Sequence, residues 1–169
     1  MHIILETPRL VFRRFTEADA KLILELHSDP LVLQFLHEPL VTTEEEAREI
    51  IQKIIIPQYK LNLGRWALHT RDNNKFIGWC GLKYNASTDE TDLGYRLSNE
   101  AWGKGYATEA AEYTLQYGFD TLQLKKVIAH AHVQNTASIN VLEKLGMKYT
   151  RDEVIDDIPV KTFVAINNL

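Results

Sequence analysis

The sequence predicts one α/β domain with a mixed, largely antiparallel sheet, and three observations carry that prediction. Apolar residues alternate with polar ones in short runs that suit strands, and recur every three or four residues in longer runs that suit helices. The two kinds of run follow one another in the order βααβββαβαββ, with no internal repeat and no low-complexity linker. At 169 residues, 45% hydrophobic and 25% charged, the chain can bury a substantial core as a single domain over residues 1–169.

The first strand is the alternating run Arg9 to Phe15. Thr16 and Asp19 have the form of a capping box and open a helix to about His27, with Leu22, Ile23 and Leu26 inward; Asp29-Pro30 ends it. Leu31 to Leu40 reads as a short helix plus loop. Thr43 and Glu46 cap a second long helix carrying Ala47, Ile50, Ile51, Ile54 and Ile55, which Pro57 kinks or ends. Arg65 to Thr70 and Lys75 to Tyr84 are strands joined by the turn residues Asp72-Asn73-Asn74. Thr91 to Leu97 is the fourth strand, with Leu93, Tyr95 and Leu97 on one face and Asp92, Gly94 and Arg96 on the other. The helix after it buries Ala107, Ala110, Ala111, Leu115, Gly118 and Phe119 and turns Glu109, Glu112 and Gln116 away. Val127 to Val133 is the fifth strand. Asn135 caps a helix from Thr136 to Leu145, and Gly146 suits a left-handed C-terminal cap. Lys148 to Ile155 and Val160 to Asn167 form a final antiparallel pair around Asp156-Asp157.

Composition narrows the function classes. A net charge of −4 without a basic run argues against general nucleic-acid binding. The single cysteine, Cys80, excludes an internal disulfide and fits a reducing, cytoplasmic setting. Glu6, Arg9, Arg13 and Arg14 interrupt any signal-like start, and no apolar stretch reaches the length of a membrane span. With no heptad seam, the expected state is a monomer or weak homodimer.

Two stretches carry chemistry. Gly103-Lys104-Gly105-Tyr106-Ala107 joins the fourth strand to its helix. The first amides of a helix lack intrahelical acceptors, and its dipole adds about half a positive charge there, so such a turn suits an anion. The spacing is neither G-x-x-x-x-G-K-[ST] nor G-x-G-x-x-G, so the turn holds a phosphorylated ligand of another kind or none. The second stretch is Asn135-Thr136-Ala137-Ser138 through Val141-Leu142-Glu143-Lys144-Leu145-Gly146-Met147.

Taken together, Leu93-Gly94-Tyr95-Arg96-Leu97, Trp102 to Ala110 and Asn135 to Met147 resemble the GNAT superfamily of acetyl-CoA-dependent N-acetyltransferases, and within it the branch of ribosomal-protein N-terminal acetyltransferases. The likeness is dense from Thr91 to Met147, and the opening LETPRLVFRRFTEADA is also similar. It implies a GNAT-like fold and acetyl-CoA as cosubstrate, with no metal. It also implies that Gly103, Lys104, Gly105, Tyr106, Ala107 and Thr108 cradle the pyrophosphate, that the backbone of Leu97 meets the pantetheine between two splayed strands, and that Asn135 reaches a pantetheine amide. Where many relatives have Arg on the cofactor side this chain has Asn140, which weakens a nucleotide-phosphate contact or leaves it to Lys144.

For the chemistry, the likeness places Asp92 where relatives often carry a glutamate base, with Glu100 a weaker candidate. Relatives often have a tyrosine acid where this chain has Leu142; Ser138 is the hydroxyl this branch offers instead. His130 and His132 lack a third ligand at metal spacing. His37, Glu38, Tyr59, Tyr84 and Asp156 fall in the region of the acceptor pocket without forming a readable constellation. The expected activity is acetyl transfer to a primary amine, a protein N-terminus or a small molecule, by direct attack in a ternary complex. The alternative is an acyl-CoA-binding module used for sensing or assembly.

Overall fold

The computed structural model of the protein describes residues 2–168. The strands are β1 (Ile3–Glu6), β2 (Leu10–Arg14), β3 (Gly64–Thr70), β4 (Phe76–Asn85), β5 (Glu90–Leu97), β6 (Lys126–His132), β7 (Lys148–Ile155) and β8 (Ile158–Ile166). The helices are α1 (Ala20–His27), α2 (Glu44–Ile50), α3 (Ile56–Tyr59), α4 (Tyr106–Asp120) and α5 (Thr136–Lys144). All the strands share one sheet in the order β1-β2-β3-β4-β5-β6-β8-β7. Every neighbouring pair is antiparallel except β5 and β6, which is the mixed, largely antiparallel sheet expected.

Local chemistry explains most boundaries. Thr16 and Asp19 close a capping box ahead of α1. The Thr43 hydroxyl accepts the Glu46 N–H at the start of α2. Asn135 does the same for Ser138 at the start of α5, and Gly146, at φ 79°, ends that helix in the left-handed region. Asp156 and Asp157, at φ 50° and 65°, make the two-residue turn between β7 and β8.

The structure departs from expectation at two places and narrows it at a third. The strand Ile3–Glu6 was not foreseen; it adds an edge to β2, and its run Ile-Ile-Leu-Glu does not alternate. Residues 31–36 form turns and bends and residues 37–40 are irregular, with no helix; Arg96 and His132 hold the segment through Glu38 and Phe35. Of the two outcomes expected at Pro57, a kink or an end, the helix does not end there and continues through α3. Ile51–Ile55 adopts a π-helical register just before it, the kind of bulge that accommodates a residue lacking an N–H.

The core lies on both faces of the central strands. Trp66, Phe12, Leu10, Leu68 and Leu82 are fully buried there. Helix α4 packs over β4 and β5, where Cys80 meets Thr114 at 3.3 Å. Arg96, on the opposite face, is buried too, so β5 is covered on both sides and is not the half-solvated strand its alternation suggested. Among the described residues no helix is long and apolar enough to cross a membrane.

Candidate active site

The β5–β6 ladder contains one residue pair, Asp92 with Ile128, whereas β4 and β5 are paired from Gly78–Leu97 to Asn85–Glu90. Beyond Asp92 the two parallel strands separate, and the gap opens into a cleft of about 820 Å³. Its walls include Leu93 to Leu97, His130 to His132, the turn into α4, and residues of α5. The segment around Phe35 to Glu38 and the β7–β8 turn at Asp156 close the far side.

One end of the cleft presents backbone amides to the open space. Gly103 and Gly105 have φ of 73° and 80°, and this left-handed backbone is what requires glycine there. A Cβ on Gly103 would meet nothing within 4 Å, and one on Gly105 would approach only Arg9, at 3.3 Å. Gly105 is the N-cap of α4 without a side-chain cap, and the first helical bond is Glu109 N–H to the Gly105 carbonyl. The N–H groups from Gly103 to Thr108 therefore have no acceptor among the described residues.

The N-terminal segment holds this turn in place. The Glu109 carboxylate accepts from the Thr7 hydroxyl at 2.7 Å, the Arg9 N–H at 2.9 Å and Arg9 Nε at 2.6 Å. Arg9 also donates to the Lys104 carbonyl at 2.8 Å and stacks on the Tyr106 ring at 4.5 Å. Glu109 thus does not turn away as the helical pattern suggested; its partners lie a hundred residues back. Burial pushes its carboxyl up, but the bonds from Thr7 and Arg9 and the guanidinium charge outweigh this and hold it below the ordinary glutamate value.

The other end is lined with titratable groups. Among the described residues Asp92 has no hydrogen-bond partner, and burial raises its pKa against the charges of His130, Lys83 and Arg65. Arg96 bonds bidentately to Glu38 at 3.1 and 3.3 Å and to His27 Nε2 at 3.1 Å. Burial, then the Arg96 charge, lowers His27 to about 3, so it meets the guanidinium as a neutral acceptor. Trp79 lies beneath Arg96 and Arg65, with ring-to-guanidinium distances of 5.4 and 4.3 Å. Phe35 packs on His132 at 5.1 Å. Glu38 therefore anchors the irregular segment to the sheet.

Along the α4 face, the Tyr95 hydroxyl sits 2.8 Å from Ser138 Oγ, and burial pushes Tyr95 up to about 12. The alternation had assigned Tyr95 only to the core, because it shares a face with Leu93 and Leu97.

The structure brings most of the sequence-derived candidates together. Asp92, Ser138, Leu97, Gly103, Gly105, Tyr106, Ala107, Thr108, Asn135 and Lys144 all line the cleft. Lys104 and Asn140 are exposed and lie outside its lining. The Leu97 carbonyl is engaged by the Trp102 indole N–H at 3.0 Å. Glu100 is exposed and pairs with Lys75. Of the acceptor-region candidates, His37, Glu38 and Asp156 reach the cleft. Tyr59 instead bridges the Phe15 N–H and the Arg65 carbonyl, and Tyr84 bonds Asp89. The described residues hold no cluster of three His, Cys, Asp or Glu suited to a metal.

A family profile described as the acetyltransferase (GNAT) domain matches residues 9–148. The chain belongs to the GNAT acetyltransferases. The uncharacterized N-acetyltransferase p20 of Bacillus licheniformis is 30% identical over 145 residues, covering 85% of this chain and 82% of that protein. The uncharacterized N-acetyltransferase YnaD of Bacillus subtilis is 31% identical over 148 residues, 88% of this chain and 83% of its own. A GNAT-family acetyltransferase from Bacillus anthracis superposes with a TM-score of 0.82 at 26% identity over the whole of both chains. RimL, a ribosomal L7/L12 α-N-protein acetyltransferase solved with coenzyme A, shares the fold, with a TM-score of 0.84 at 18% identity over 98% of each chain.

As a GNAT enzyme, the protein transfers an acetyl group from acetyl-CoA to an amine. The cleft fits that cosubstrate: the unpaired amides at the start of α4 suit a pyrophosphate, and the gap between β5 and β6 suits an extended arm carrying amides. Acetyl-CoA supplies a thioester carbonyl, an electrophile that an unprotonated amine attacks directly.

Proposed function

We propose that this single domain acetylates the N-terminal amine of a peptide or protein, by direct attack within a ternary complex, with Asp92 and Ser138 serving the proton transfers. The observation that carries this reading is the convergence of three groups on one open cleft. The amide turn Gly103–Thr108 lies at one end, and the Asp92 carboxylate and the Tyr95–Ser138 hydroxyl pair lie along the walls where β5 and β6 part.

In this reading the amides from Gly103 to Thr108 hold the pyrophosphate, and Lys144 adds charge at the nucleotide. Asn135 has committed its side-chain oxygen to Ser138 N–H, which leaves its amide NH₂ for a pantetheine carbonyl. Asp92, above its ordinary pKa and without a hydrogen-bond partner among the described residues, draws a proton from the incoming ammonium through water. Ser138, coupled to Tyr95, returns a proton to the leaving sulfur. A peptide acceptor is favoured by the resemblance to ribosomal-protein N-terminal acetyltransferases and by the openness of the cleft between the Phe35–Glu38 segment and the β7–β8 turn. The chain acts as a monomer or weak homodimer.

The test is an acceptor screen with acetyl-CoA that follows free thiol release, comparing N-terminal peptides with polyamines, amino sugars and free amino acids. Peptides should give the higher kcat/KM; a small amine ahead of every peptide overturns the acceptor assignment. With the best acceptor, Asp92→Asn keeps shape and removes basicity, so kcat/KM at neutral pH should fall by about 10² or more while CoA affinity holds. Wild-type activity in that variant removes Asp92 as base.

A further inference from the structure

A row of side chains crosses four adjacent strands on the acceptor face of the sheet. Asp92 on β5 pairs in register with Ile128, so it shares a face with His130 two residues on. His130 on β6 is directly opposite Thr162 on β8, and its Nδ1 is 3.0 Å from the Thr162 hydroxyl oxygen. That hydroxyl in turn donates to Glu153 on β7, whose carboxylate is also paired with Arg151 at 3.1 Å. Thr162 is fully buried and Glu153 lies at the sheet edge, partly exposed.

This arrangement decides the tautomer of His130. A threonine hydroxyl has one proton to give, and a carboxylate accepts only. Thr162 gives that proton to Glu153, so it meets His130 as an acceptor, and Nδ1 of His130 must carry the hydrogen. The lone pair is then on Nε2, which has no hydrogen-bond partner among the described residues, on a side chain that lines the cleft. An imidazole with Nδ1–H held from behind by a hydroxyl that a carboxylate in turn orients, and a bare Nε2 in front, is a general base in waiting.

We propose that His130 is a catalytic residue, the terminal acceptor of the proton that leaves the acceptor ammonium, with Thr162 and Glu153 as its positioning residues. The inference rests on the reading of this cleft as the acetyl-transfer site. Two protons leave the acceptor nitrogen in each turnover. One ends on the thiolate that departs when the C–S bond breaks. The other, released as the ammonium N–H bond breaks and frees the attacking electron pair, passes by way of Asp92 and its water to Nε2 of His130. The imidazolium is balanced through Thr162 by Glu153, and its proton goes to solvent as product leaves. Other charged or titratable groups on this face and cleft include Lys83 on β4 and Arg65 on β3 beside Asp92, Glu90 and Arg96 on β5, His132 on β6, Arg151 on β7, Asp156 of the β7–β8 turn, Lys144 of α5, and His37 and Glu38 of the irregular segment.

The first test needs no acceptor. Nitrogen-15 NMR of histidine-labelled protein above pH 7.5 should show His130 protonated at Nδ1 and bare at Nε2; the opposite tautomer overturns the proposal. The second uses the best peptide from the screen. His130→Gln should lower kcat/KM at neutral pH by about 10² or more, recovering toward high pH. Glu153→Gln, at a partly exposed position that spares the core, should move the acid limb of the kcat/KM profile to lower pH by about half a unit or more, as the imidazolium loses its counter-charge. A purely structural role would leave that limb in place, and an unmoved limb in a folded Glu153→Gln overturns the proposal. The outcomes separate the two readings: loss in Asp92→Asn with wild-type activity in His130→Gln rejects His130 alone, the reverse rejects Asp92 as base and keeps His130, and wild-type activity in both rejects the two together.

Discussion

Replacing Gly105 with valine tests whether the turn into α4 is the anion cradle. The backbone at this position has φ of 80°, where an L-residue costs roughly 1–2 kcal/mol and a β-branched one lies at the upper end. The added side chain would also start 3.3 Å from the Arg9 guanidinium. The strain is distributed in a way the structure dictates. Gly103, Lys104 and Gly105 are exposed, and the turn's main tether is the single bond from Arg9 to the Lys104 carbonyl. The free protein can therefore relax the turn at little cost to folding, and ligand binding must restore it. A strain of about 2 kcal/mol then appears as a CoA dissociation constant raised roughly thirtyfold, with Tm almost unchanged. Calorimetric titration with CoA beside a thermal melt reads both quantities. Gly103→Ala, at φ 73° with nothing within 4 Å of its Cβ, should cost only about tenfold or less. An unchanged CoA affinity in a folded Gly105→Val protein refutes the assignment of these amides.

Two further outcomes follow from the contacts around the cleft. Glu109→Ala removes three hydrogen bonds and orphans the buried Thr7 hydroxyl proton, so urea denaturation should show a loss of about 2–3 kcal/mol at neutral pH. Because the folded-state pKa of Glu109 is depressed, its contribution is full above the unfolded glutamate value and fades as pH falls through the folded one; the alanine variant should accordingly lose less stability than wild type between pH 6 and pH 3. Tyr95→Phe should lower kcat by about tenfold or less and Ser138→Ala by more, with CoA affinity held in both, since a thiolate leaves readily without a strong acid. Equal activity of Tyr95→Phe and wild type in single-turnover measurements would exclude the hydroxyl pair from the transfer.

The elements most legible in the sequence were those with local causes. Caps at Thr16, Thr43 and Asn135, the glycine at 146 and the paired aspartates at 156 and 157 act within a few residues, and the caps and the turn formed there, although β8 starts at Ile158 and not at the expected Val160. The turn at Gly103–Thr108 was legible for the same reason. What stayed hidden depends on partners brought together by the sheet. Glu109 was read from helical phase alone, while its partners Thr7 and Arg9 lie in the connection between β1 and β2, far away in sequence. Arg96 looked solvent-facing until Glu38 and His27 covered it, and Tyr95 looked like core until α5 brought Ser138 to its hydroxyl. His130 was set aside as a metal ligand lacking a third partner. Its actual partners, Thr162 and Glu153, are neighbours only across strands, and no spacing in the sequence announces them.

The lone residue pair between β5 and β6 makes the sheet two panels that meet at a seam. One panel runs from β1 to β5 under α4, and the other holds β6, β8 and β7 with α5 on β6. Backbone hydrogen bonds normally weld such panels, and here nearly all of that weld is absent by design of the strand paths. A cosubstrate arm lying along the seam, bonding to both strand edges through its own amides, would take the place of a strand. The substrate would then be part of the protein's architecture as well as its chemistry, stiffening the catalytic face only for as long as there is an acetyl group to transfer and letting the panels loosen when the spent thiol departs.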